Sequence, residues 1–186
     1  MNSETKKLCG EILQKLLKKY DQRSAKQVDT KRRITLRPSE IYKAYAANNA
    51  DIRQKETINE AVHQLESKQL VTVKRLKYSD EIEKIYMSED SVSSAQDFLR
   101  DQCGITPRDQ IKEEVFRLFE GYEHGGVLVH AYCASLRQHL NETADEIAFS
   151  RIEANLKMID FLEKNRKALY VREASILVYG DSKWFQ

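Results

Sequence analysis

Three groups of basic residues have the type and spacing to do a definite chemistry. Lys31, Arg32, Arg33 and Arg37, with Lys26 before them, surround the short alternating run Ile34-Thr35-Leu36. Arg53 and Lys55 open a helical segment, and Lys74, Arg75 and Lys77 fall in a β-prone one. Contact with a phosphate backbone needs Lys and Arg gathered on one docking surface. These groups therefore point to duplex DNA if the fold brings them together. Glu56, Glu60, Glu66, Glu81 and Glu83 are interleaved with them and weaken the field. The competing reading is a set of solvated charges on a highly charged protein.

A second cluster invites a metal. His130 and Cys133 are three apart and share a helix face, with His124 and His139 on either side. Structural zinc sites show close-spaced ligand pairs, and this pattern lacks them, so no metal ligand is assigned and these residues read as parts of a helix. No nucleophile stands out either. There is no Gly-x-Ser-x-Gly. Gly180-Asp181-Ser182-Lys183 lacks the spacing of a phosphate-cradling loop. Glu113-Glu114 sits mid-helix, and Asp145-Glu146 suits the first turn of a helix, where acids complement the dipole. The expectation is no catalytic residue and no cofactor in this chain.

Composition narrows the class. The chain has 186 residues, 32% charged and 41% apolar, which is globular and not disordered. Two prolines and six glycines argue for helix. The net charge of +2 leaves any nucleic-acid case to rest on charge placement. Cys9, Cys103 and Cys133 are odd in number and scattered, which reads as free thiols of a cytoplasmic protein. The amphipathic N-terminus has no uninterrupted apolar segment, so neither a signal peptide nor a membrane span is expected.

Several elements must position the basic groups. Ser3 caps a first helix to about Tyr20, with Leu8, Ile12, Leu13, Leu16, Leu17 and Tyr20 on one stripe. A loop leads to the strand at 32–37, and Pro38 opens a helix carrying Ile41, Tyr42 and Tyr45. The next helix runs from about Ile52 to Lys68, with Ile58, Ala61, Val62 and Leu65 facing the core. Leu70 to Tyr78 reads as a strand, Ser79-Asp80 as a turn, and Ile82 to Met87 as the returning strand. This order is that of a winged helix over residues 3–88, in which the third helix enters the major groove. A Ser-rich boundary at 88–94 then begins a helical region, 89–168. It comprises a helix ending at Gly104, a helix opened by Thr106-Pro107, a segment from Val127 to Leu140 that is helical or starts as a strand, and a long helix capped by Thr143. Ser175-Ile176-Leu177-Val178-Tyr179 reads as a short buried strand, followed by Gly-Asp-Ser turn chemistry, in a junction over 169–186. The fold class expected is mainly α with small β.

The stretch from Arg172 through Ser175-Ile176-Leu177-Val178-Tyr179 to Gly180, Asp181, Ser182, Lys183, Trp184 and Phe185 resembles the signature before the catalytic domain in the D subunit of Wadjet anti-plasmid systems. Those proteins are related to topoisomerase VI A subunits. Leu156 to Glu163, Leu16-Leu17-Lys18-Lys19-Tyr20 and Arg32 to Leu36 fit the same likeness more loosely. The resemblance implies a subunit working with an SMC-like ATPase complex that senses plasmid DNA. It also implies a metal-dependent Toprim nuclease domain beyond the signature, whose acids are not among these residues. A divalent metal is expected only in that missing domain. On this reading the chain is the accessory front part of a longer protein, contacting double-stranded DNA and docking its partner, and Trp184 and Phe185 are packing residues. Tyr42 and Tyr45 fall on an apolar face and read as core, not as a catalytic tyrosine. The alternatives are a winged-helix transcriptional regulator that dimerises through 89–168, and a protein-interaction module without DNA affinity.

Overall fold

The computed structural model describes residues 2–26, 33–79 and 81–183. It is mainly helical with one small antiparallel sheet, and it divides into two units, 1–107 and 108–186.

In the first unit, α1 spans Ser3–Ala25. Its cap is Asn2, whose Oδ1 accepts the Thr5 N–H at 2.6 Å, one residue earlier than the expected Ser3. Cys9, Ile12, Leu13, Leu16 and Leu17 are buried along one stripe, as helical spacing requires. β1 is Ile34–Leu36. The helix expected after Pro38 is a single 3-10 turn, Pro38–Glu40, followed by successive turns closed by Tyr45 N–H to Tyr42, Ala47 N–H to Ala44 and Ala50 N–H to Ala47. Tertiary contacts override helical propensity here. The buried Tyr45 hydroxyl donates to Asn59 Oδ1 at 2.6 Å and accepts the Ile82 N–H at 3.2 Å.

α2, Ile52–Ser67, starts at Asp51, whose Oδ1 accepts the Arg53 N–H at 2.9 Å. It buries Ile58, Ala61, Val62 and Leu65, as expected. It ends through Gln69, which holds a left-handed φ of 60° while the Leu70 N–H returns to the Leu65 carbonyl. β2 is Thr72–Arg75, shorter than the expected 70–78, and β3 is Ile82–Met87. The strand order β1-β3-β2 places β3 centrally, with Ile34 opposite Met87 and Val73 opposite Ile85. Ile82, Ile85 and Met87 face the core. The unit thus runs helix, strand, turns, helix and a two-stranded hairpin (the expected wing), with the helix expected after Pro38 reduced to turns.

α3, Val92–Phe98, continues through a wider turn, Leu99–Cys103, to Gly104 at φ 68°. Sequence reading placed this helix in the second region, beginning at 89. It belongs to the first unit, because Val92, Ala95, Phe98 and Leu99 complete that unit's core against α1. Gly10 permits the approach: a Cβ there would meet Ile105 Cδ1 at 2.8 Å.

The second unit contains α4 (Arg108–Glu120), α5 (Val127–Glu142), α6 (Phe149–Lys164) and α7 (Val171–Tyr179). Val115, Phe119, Val129, Leu140, Ile147, Ile152 and Leu156 form its core. Val127-Leu128-Val129 is helical, not a strand. Thr143 does not cap the following helix. It closes α5, its N–H and hydroxyl both donating to the His139 carbonyl at 3.0 Å, and α6 begins only at Phe149.

The largest difference lies at the C-terminal end. Ser175 to Tyr179 is not a strand but the greater part of α7. The Glu173 carboxylate accepts the Tyr170 N–H at 2.9 Å and starts the helix. Ala174 and Ser175 are buried, and the Tyr179 hydroxyl donates to the Ala154 carbonyl at 2.6 Å. No other strand is present among the described residues of this unit, so the backbone groups of this run find partners within a helix. Gly180, at φ 71°, caps it.

No helix among the described residues is long and apolar enough to cross a membrane.

Candidate nucleic-acid interface

Fold geometry divides the basic residues instead of pooling them. Lys31 and Arg32 lie outside the described residues. Arg33 and Arg37 flank β1 at opposite ends, about 13 Å apart at the usual strand rise. Arg33 lies beyond the Ile34–Met87 pair, away from the wing, and Arg37 lies beyond the Leu36–Ile85 pair, toward it. Both are exposed.

Three of the expected phosphate contacts are engaged by carboxylates. Lys55 Nζ, on the first turn of α2, lies 2.5 Å from Glu81 Oε1 at the turn end of the wing, and also sits 5.3 Å from the Tyr45 ring centroid. Arg75 reaches back from β2 to α2 with both guanidinium nitrogens on Glu66, at 2.7 and 3.5 Å. Lys74 Nζ lies 2.7 Å from Glu83 Oε2. The Lys74 hydrogen bond holds the Glu83 carboxyl below its ordinary pKa, outweighing desolvation, with Lys84 and Arg37 adding to the effect. Glu83 thus pairs with Lys74 and Lys84, at 2.7 and 3.8 Å, and damps the field they would present. Exposed pairs of this kind contribute little to stability. Their main consequence is geometric: Lys55–Glu81 and Arg75–Glu66 tie both strands of the wing to α2.

Arg53 and Lys77 differ. Neither has a carboxylate within ion-pair distance among the described residues, and both are exposed. Arg53 stands on the first turn of α2 beside Ile52, itself 69% exposed. Lys77 stands at the wing tip, its ammonium 5.6 Å from the Tyr78 ring centroid. Tyr78 is 91% exposed, and Leu76 is partly so. Sequence reading took Tyr78 as the end of a strand. The signal it passed over was an aromatic directly before Ser79-Asp80, where a turn makes it a tip residue.

The histidine and cysteine cluster does not converge. His130 and Cys133 line a cleft of about 320 Å³ with Phe119, Tyr122, Glu123, Ala134 and Arg137, while His124 and His139 are not part of it. His139 Nε2 instead lies 3.8 Å from Asp145. Burial pushes the Cys133 thiol up, against the nearby Arg137 charge. Among the described residues no three His, Cys, Asp or Glu side chains are grouped to hold a metal ion.

The signature residues form a helix end. Arg172 is exposed on the first turn of α7. After Gly180, the Asp181 carbonyl accepts the Ser175 hydroxyl at 2.6 Å, and its Oδ1 accepts the Lys183 N–H at 2.9 Å. Ser182 lies within that turn, and Trp184 and Phe185 lie outside the described residues. No protein-family model, curated protein or solved structure matches this chain.

Proposed function

We propose that residues 2–107 form a module that contacts double-stranded DNA through the start of α2 and the wing. One observation carries this reading: Arg53 and Lys77 are exposed, without an ion-pair partner among the described residues, on two elements that ion pairs brace together. A helix N-terminus beside a basic hairpin suits insertion at a groove with flanking phosphate contacts. The resemblance of 172–185 supports a setting for it, a cytoplasmic accessory region of a Wadjet-type nuclease subunit that docks an SMC-like ATPase complex. In that setting cleavage belongs to a Toprim domain that these residues do not include.

The test is a duplex titration at several salt concentrations. Each phosphate contact contributes about −0.9 to the slope of log K against log salt, so Arg53→Ala and Lys77→Ala should each lower its magnitude by about 1. Lys55→Ala and Arg75→Ala should leave the slope nearly unchanged, since those cations already face carboxylates. Absence of binding, or a slope indifferent to Arg53 and Lys77, removes the proposal.

A protein-contact module is the second reading. The neutralised Lys55, Lys74 and Arg75 favour it, as do exposed Ile52, Leu76 and Tyr78. It predicts no salt-dependent affinity for DNA.

A further inference from the structure

We infer that the wing tip carries a stacking residue for an unpaired base, so that the preferred ligand is duplex DNA bordering a single-stranded segment. The inference rests on the DNA reading above and adds to it the form of the nucleic acid. Tyr78 is the starting point. At 91% it is the most exposed of the large apolar side chains among the described residues, although the core of the same unit buries Tyr45 almost completely. An aromatic ring left in water at a projecting tip has the face away from Lys77 available for stacking.

The surroundings sharpen its role. Below the tip, the Leu76 N–H donates to the Glu81 carbonyl at 2.9 Å and closes the hairpin. Lys55–Glu81 and Arg75–Glu66 then fix the turn end of the hairpin to α2. Tyr78 is thus a projecting group on a braced support, and its distance from the first turn of α2 is set by the fold. Lys77 next to it supplies a cation for a phosphate, and its 5.6 Å approach to the ring makes a joint cationic and aromatic surface. Cation plus aromatic is the pairing that holds single strands: the cation follows the backbone, and the ring accepts any base through its π-face. In an intact duplex, bases are stacked on one another and offer no free face. An unpaired nucleotide at a junction does. With α2 on the paired part, the tip falls where the strand leaves the duplex.

The experiment compares two DNAs of equal length, a blunt duplex and a duplex with a short single-stranded extension carrying 2-aminopurine at the first unpaired position. The intact chain should bind the junction more tightly and quench the probe by stacking. Tyr78→Ala should weaken junction binding by about 5- to 150-fold and abolish quenching, while leaving blunt-duplex affinity unchanged. Tyr78→Phe should behave like the unaltered chain, since the ring and not the hydroxyl stacks. If Tyr78→Ala binds the junction normally, or weakens both DNAs equally, the stacking assignment is wrong and duplex contact stands. If neither DNA binds with a salt dependence, both readings fall together.

Discussion

Replacing Glu163 by alanine removes a cap supplied from another part of the chain. The first N–H groups of a helix have no partner within it. At α5 the N-cap is Gly126, which has no side chain to offer. Glu163, near the end of α6, supplies the acceptor instead. Its Oε1 takes the Leu128 N–H at 2.7 Å, and its Oε2 takes the Val129 N–H at 3.2 Å. The negative charge also sits at the positive end of the α5 dipole. Hydrogen bonds to a charged group contribute about 1.5–3 kcal/mol, and loss of an N-cap costs about 0.5–2 kcal/mol. Glu163 is half-buried, so about 2 kcal/mol is the reasonable total for both bonds together. For a chain of this length that lowers Tm by about 4–8 °C. Circular dichroism melting measures it, and hydrogen exchange locates it: the Leu128 and Val129 amides should exchange up to about 30-fold faster. Glu163→Gln keeps one acceptor oxygen and should show about half the loss. Gly126→Ala should disturb the same contact, because its Cβ would come within 2.5 Å of the carboxylate. The double variant should then lose less than the sum of the singles. A Glu163→Ala protein that melts within about 1 °C of the parent, with unchanged exchange at both amides, refutes the capping argument.

Other expectations follow from single contacts. Arg108 donates to the carbonyls of Leu140, Thr143 and Asp145 at 3.1, 2.8 and 3.0 Å, so Arg108→Ala should destabilise the second unit by about 1–3 kcal/mol in denaturant melts, and lysine should not restore it for want of the planar fork. Gln69→Gly should stabilise the first unit by about 0.5–1 kcal/mol, because a left-handed φ of 60° strains any residue with a Cβ. Burial, with the neighbouring Cys103 and Glu60 adding to it, pushes the Cys9 thiol up to about 11, from an ordinary 9.0. The folded chain therefore holds that proton more tightly than the unfolded one; Cys9 should resist alkylation at neutral pH, and its stabilising contribution should fade as pH rises from 9.0 toward about 11. Glu40 has the opposite sign. Burial raises its pKa, but the Lys19 hydrogen bond, the Arg37 N–H and the Lys19 and Lys15 charges together lower it from the ordinary 4.5. Its contribution is present above that value and lost as pH falls below it, which an acid titration of the intact chain against Glu40→Gln should reveal.

Local pattern determined much of this protein. The 3.6-residue spacing in 3–25 and 52–67 is a matter of which side chains share a face, and Ile12, Leu13, Leu16, Ile58, Val62 and Leu65 are buried as that spacing requires. Alternation around Ile34-Thr35-Leu36 likewise marked a strand with one face inward. The basic residues were legible as three groups, around a short strand, at a helix start and in a hairpin, but not as a surface. Only tertiary structure decided that Lys55, Lys74 and Arg75 meet Glu81, Glu83 and Glu66, since each pair joins residues from different elements. The same holds for Glu163 at the start of α5, and for α3, which fills the first core although a Ser-rich stretch separates it in sequence. It holds most clearly for 172–183. Ile176, Leu177 and Val178 favour a strand, but a strand needs a partner with open backbone groups, and a helix supplies its own. Side-chain type is a property of the residue, whereas the partner that satisfies it is a property of the fold.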